Sequence, residues 1–248
     1  MKTVRSINLR MRKRQAGLAA LSWLVPAVAI AQTGIEAQTG SRIADRPTKV
    51  NPIAASEMMK SVARCVLTNK PDKVAHFLEN SDTMQVDFKA LGISEAKLGN
   101  ELGWDKCFNY EVNHAQFLVQ IKFQPNGFRT LLQEEAYLDA HRKPPVLADT
   151  AVETVSHRFV SEGDLLKQAQ GLAAFADCIT FKNSSGADAL LRTRPRSPEE
   201  RLSARALAPT LGACLVEGQT ISLTAENIRA VVADGLWSRF VYGSKPHA

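Results

Sequence analysis

The chain has 248 residues, with 31 Lys and Arg, 25 Asp and Glu, and a formal net charge of +6. Six of the basic residues (Lys2, Arg5, Arg10, Arg12, Lys13 and Arg14) stand in the first fourteen positions, which leaves 25 basic against 25 acidic residues in the rest of the chain. That balance excludes a general electrostatic attraction to nucleic acid or to anionic lipid, because such binding needs a basic surface.

The basic head carries no acidic residue and runs into an apolar stretch from position 16 to 31 that closes on Ala29-Ile30-Ala31. A basic head, a short apolar run and small residues at the end are the pattern of a secretory signal peptide. The expectation is cleavage after Ala31 and a periplasmic or secreted protein. An uncleaved anchor is the alternative, but the run is short for a span of about 20 apolar residues and Pro26 interrupts it. No later stretch is apolar enough to span a bilayer, so no membrane span is expected after cleavage.

All four cysteines, Cys65, Cys107, Cys178 and Cys214, lie beyond this segment. An even count in an oxidising compartment implies disulfides. Four cysteines allow three connectivities, and spacing alone does not choose among them. A metal site would need paired spacings such as Cys-x-x-Cys or His-x-x-x-His, and the chain has neither.

Residues 32–53 are polar and read as a flexible segment. Ordered structure is expected from about Ser56, where Met58, Met59, Val62, Ala63, Val66 and Leu67 recur at helical spacing. Pro71 opens a second, short helix with Val74, Phe77 and Leu78 on one face. Ser94 caps a third that carries Leu98 and Leu102 toward Cys107. In residues 115–123, Phe117, Val119, Ile121 and Phe123 alternate as in a strand with one buried face. Pro125 opens a closing helix that runs to about His141. Lys143-Pro144-Pro145 reads as a stiff linker, and residues 152–160 as another short strand.

From Gly163 the pattern starts again. Cys178 falls on Cys65 and Cys214 on Cys107. The segment ENIRAVVADGLW then matches NGFRTLLQEEAYL, so that Arg229 falls on Arg129, Ile228 on Phe128, Val231 and Val232 on Leu131 and Leu132, and Trp237 on Tyr137. Ser197-Pro198-Glu199-Glu200 states a capping box at the helix leading to Cys214. Cap to cysteine is 13 positions in the first copy and 17 in the second, a difference of about one helical turn. Pro209 is expected to kink or divide that second helix, and Gly218 to end it. A short extended segment over 220–223 precedes the last helix.

The expected fold is mainly α: two tandem copies of a four-helix unit, each with one disulfide of its own and a short strand or hairpin before its last helix. If each copy closes on itself, the bridges are Cys65–Cys107 and Cys178–Cys214. The expected organisation is a signal peptide over 1–31, a flexible segment over 32–53, a first copy over 54–141, a linker over 142–162, a second copy over 163–240 and a tail over 241–248.

Chemistry is less legible. No Gly-x-Ser-x-Gly elbow, phosphate loop or dinucleotide fingerprint is present. Glu134-Glu135 are adjacent on a helix and point apart, and Glu199-Glu200 suit a helix N-terminus. The sequence assigns no residue to catalysis or to a metal and implies no cofactor. Arg129 and Arg229 are the candidate binding residues: either structural ion-pair partners used twice, or arginines flanking a groove and binding an anion. Trp104, Tyr137 and Trp237 are expected to pack rather than to form a ligand platform. The leading expectation is an exported envelope protein acting as a non-catalytic binding or interaction module, for another envelope protein or a small ligand. The alternative is an exported, hydrolase-like enzyme with its site around His114 and His157, and the sequence leans against catalysis without deciding it.

Overall fold

The computed structural model describes residues 51–114, 124–148, 151, 153, 159–215 and 223–243. All of them lie in the second of the chain's two units, Ile43–Ala248. The described residues form ten α-helices followed by a π-helical turn, Ser238–Tyr242, and the only β pairing among them is one antiparallel bridge between Ser81 and Val86. The strand-like stretches at 115–123 and 220–222, most of 152–160, and Gly218 lie outside the described residues.

The first helix, α1 (Pro52–Asn69), begins four residues ahead of Ser56 because Asn51 caps it, accepting from the Ile53 N–H at 3.0 Å, and Pro52 fits its first turn. It stops at Lys70, which leaves the helical conformation at φ −141°, as the following proline disfavours the α region for the residue before it. Pro71 then opens α2 (Pro71–Glu79), which buries Val74, Phe77 and Leu78 as its periodicity requires.

The cysteine helix expected next is two helices, α3 (Glu95–Leu102) and α4 (Trp104–His114). Gly103 separates them in the left-handed conformation, φ +74°, which glycine adopts without steric cost. Ser94 stands at the start of α3, but its side chain makes no capping bond. Pro125 opens α5 (Pro125–Ala140) as expected.

The second half begins with α6 (Gly163–Lys182). Asn183 ends it and caps α7 (Ser184–Leu191) through the Gly186 N–H at 2.9 Å. Ser197 caps α8 (Pro198–Ala206) through the Glu200 N–H at 3.1 Å, but the box is half closed: the Glu200 carboxylate accepts from Arg196 N–H, not from Ser197. The division ahead of Pro209 falls at Leu207, and α9 (Ala208–Cys214) follows. Thr224 caps α10 (Ala225–Trp237). Each half therefore holds five helices where the sequence suggested four, because a glycine in one and a proline in the other split the helix leading to the second cysteine.

The bridges are Cys65–Cys107, tying α1 to α4, and Cys178–Cys214, tying α6 to α9. Cysteine bridges of this kind persist in oxidising compartments. No helix among the described residues is long and apolar enough to cross a membrane.

Two apolar clusters fill the interior. One is built mainly from α1 to α5 and the other mainly from α6 to α10, and each takes in a buried aromatic side chain from the opposite half. Tyr137 of α5 packs in the second cluster; Trp237 of α10 packs in the first. The helices α5 and α10 thus form the seam of the molecule, each passing its last turn into the other's core.

Candidate functional site

The two repeated arginines meet carboxylates across this seam. Arg129 donates through Nη1 to Asp234 Oδ1 at 3.0 Å, and Arg229 donates through Nε and Nη2 to the two oxygens of Glu134 at 2.9 and 2.7 Å. The register that sets Arg229 on Arg129 also sets Asp234 on Glu134, so the pairs are reciprocal: each helix supplies the arginine of one and the acid of the other. Both arginines are buried, at 5% and 7% exposure.

Both also make further hydrogen bonds within the protein. Arg129 donates to Ser81 Oγ just past α2 and to Gln133 on its own helix. Gln133 in turn donates to Asp234 at 2.7 Å. Arg229 donates to Glu200 Oε1 at 3.0 Å, to Thr193 Oγ1 just past α7, and to the carbonyls of Leu190, Leu191 and Thr193. Burial pushes the Glu134 carboxyl up, but the hydrogen bond and charge of Arg229, joined by those of Lys60, hold it below the ordinary carboxylate value. The reverse holds for Arg229: desolvation alone would lower it, and Glu134 and Glu200 raise it.

Above one end of this seam lies a cleft of about 680 Å³. Its walls come from three places: one face of α1, the C-terminal half of α5, and the segment following α7. Lys60 sits at its floor, ion-paired to Glu134 and 3.5 Å from Glu135, with its Nζ also donating to the Leu191 carbonyl at 3.3 Å. Arg64, one helical turn on, donates through Nε to Glu135 at 2.8 Å. On the opposite wall, Arg192 takes both oxygens of Asp188 at 2.8 Å, and Asp188 also accepts from the Tyr137 hydroxyl at 2.8 Å. Arg194 closes one end by a two-pronged pair to Glu57 at 2.6 and 3.1 Å. Arg142 stands at the other end, 3.7 Å from Asp139.

Neither Arg129 nor Arg229 lines the cleft; Arg229 lies behind it, joined to its floor through Glu134, which both Lys60 and Arg229 hold. Trp104, Tyr137 and Trp237 are all buried in the apolar clusters. His114 ends α4 as an exposed residue whose Nδ1 donates to the Tyr110 carbonyl at 2.6 Å. His157 lies outside the described residues. Among the described residues no group of three or more His, Cys, Asp or Glu side chains is placed to hold a metal ion. The cleft has little signature in the sequence, since its lining arginines are scattered over α1 and the segments that follow α5 and α7. Its one readable cue is the density of arginine in Leu191-Arg192-Thr193-Arg194-Pro195-Arg196.

Comparison of the chain with protein-family models, with curated proteins and with solved structures finds no match.

Proposed function

We propose that this protein is exported to the cell envelope, where it acts as a non-catalytic binding module, and that its two halves are copies of one unit. The observation that carries the binding reading is the cleft itself, an opening of about 680 Å³ that neither half forms alone and that is within the size range of small-molecule sites.

The copy reading is supported by the recurrence of helix order, of the bridge between the first and fourth helix, and of the arginine-to-carboxylate pairs between α5 and α10. It also accounts for a difference in packing between the two halves. Under the same register, Glu135 of α5 corresponds to Gly235 of α10. Gly235 lets α10 come down on α6: a Cβ there would meet the Ala176 carbonyl oxygen at 2.6 Å. At the equivalent place α1 and α5 are bridged by whole side chains, Arg64 to Glu135. Export is supported by the basic head, the short apolar run and the two bridges.

The test is a native, non-reducing mass spectrum of protein purified from the envelope fraction, beside a Ser61→Trp variant whose indole fills the cleft from α1. The expected result is a chain beginning at Gln32 with an added mass that the variant lacks. Retention of that mass by Ser61→Trp places the ligand elsewhere and removes the cleft from the reading.

A further inference from the structure

The charges of the cleft are partly sorted by depth. Three carboxylates lie underneath, the side chains of Glu134, Glu135 and Asp188 each 2% exposed, while Glu57 and Asp139 stand at the rim at 39% and 73%. Its guanidinium groups lie on top, Arg64 at 61%, Arg194 at 68% and Arg142 at 85%. Formal charge nearly cancels over the whole cluster, yet at the exposed rim the three arginines Arg64, Arg142 and Arg194 outnumber the two acids Glu57 and Asp139. The mouth of the cleft therefore carries an excess of positive charge.

Donors are also left over. Arg64 uses Nε for Glu135, and among the described residues no bond takes its two Nη atoms. Arg192 uses Nε and Nη2, and no bond among the described residues takes its Nη1. Among the described residues Arg142 has only the 3.7 Å approach to Asp139. The rim acids are already beside arginines, Glu57 with Arg194 and Asp139 with Arg142. A planar guanidinium with free N–H groups matches a carboxylate or phosphate two bonds at a time.

We propose that the cleft takes a ligand bearing an oxyanion group, phosphate or carboxylate, held by Arg64, Arg142 and Arg192. The inference rests on the cleft being the binding surface. The volume of about 680 Å³ exceeds what a bare oxyanion fills, so the group is the head of a larger molecule whose body lies along Leu67 and Leu138, the apolar residues of the α1 and α5 walls.

Isothermal titration of the mature, disulfide-intact protein with inorganic pyrophosphate and with citrate tests this. One probe binds with an affinity that falls as sodium chloride is added, and which of the two binds tells phosphate from carboxylate. The double variant Arg64→Gln, Arg142→Gln loses about tenfold or more, the scale of a lost pair of charge-assisted hydrogen bonds. Arg142→Gln alone, at a side chain 85% exposed, cannot disturb the fold and weakens binding several-fold. Failure of both probes to bind the wild type, or unchanged affinity in Arg142→Gln, overturns the proposal. The two readings fail separately: retention of a copurified mass by Ser61→Trp removes the cleft, whereas an uncharged copurified ligand lost from Ser61→Trp but kept by the arginine double variant leaves the cleft standing and overturns the oxyanion.

Discussion

Arg229 holds both oxygens of Glu134 from the facing helix, at 2.9 and 2.7 Å, and the same carboxylate ion-pairs with Lys60 on the cleft floor. One acid thus joins the seam between α5 and α10 to the wall formed by α1. A buried carboxylate with two cationic partners is strongly destabilising to strand, because the surviving charges keep their desolvation cost without the Coulombic return.

Arg229→Met is therefore expected to cost about 3–5 kcal/mol, the range for breaking a buried ion pair by removing one partner. Pairing it with Glu134→Leu should recover part of the loss by removing the stranded acid, although Lys60 and Glu200 then lose a partner each. Urea unfolding of the two single variants and the double variant gives the coupling energy. Additive effects would show that the pair is not coupled.

Gly235→Ala and Gly127→Ala should move stability in opposite directions. At Gly235 a new Cβ meets the Ala176 carbonyl oxygen at 2.6 Å and the Thr180 methyl at 2.8 Å, so α6 and α10 must separate. Overpacking of this kind costs about 1–3 kcal/mol. At Gly127 in α5 nothing stands within 4 Å of the added atom, and the alanine should gain up to about 1 kcal/mol in helix preference. Thermal unfolding of the two variants reads both signs at once.

Acid sensitivity follows from Glu134 and Asp82. Burial alone would raise the Asp82 carboxyl, but it accepts from the N–H groups of Ser161, Val160, Met84 and Gln85 and from the Ser161 hydroxyl, and these hold it below the ordinary value of 3.8. Glu134 is held below 4.5 by Arg229 and Lys60. As pH falls, the unfolded chain takes up these protons first. The stabilisation is complete above the ordinary values and is lost as pH drops through the depressed ones. Stability measured in urea should be flat near about pH 6 and decline steeply below about pH 4, and Asp82→Asn, less stable at neutral pH, should show a shallower decline.

Each bridge closes a loop with a sequence separation of 42 or 36 residues, for which the chain-entropy estimate is about 4 kcal/mol. Cys65→Ala with Cys107→Ala, and Cys178→Ala with Cys214→Ala, should each lower the unfolding midpoint by a comparable amount. A pair whose removal leaves the midpoint unchanged would show that its loop is already restrained in the unfolded chain.

Local chemistry made much of the fold legible. Pro71, Pro125, Ser197 and Thr224 each open or cap a helix where their residue type indicates, because those preferences act within one turn. The break at Gly103 was not legible: a lone glycine is tolerated inside a helix, and only the surrounding packing selects its left-handed conformation. Arg129 and Arg229 stood out through their register, but their partners lie about a hundred positions away and no local pattern points to them. The cleft was the least visible feature, since it consists of the space between three elements rather than of any residue.

The reciprocal seam also limits how such a chain could grow. In a solenoid every unit offers the next the same face it received, so a further unit always finds a place. Here α5 and α10 satisfy each other's arginine and acid, and each sends its terminal aromatic into the other's core. If the halves are copies of one unit, as proposed, a third copy appended to the chain would bring a helix carrying an arginine and an acid with no vacant counterpart. On that reading the pairing is closed at two units, as a face-to-face dimer is closed.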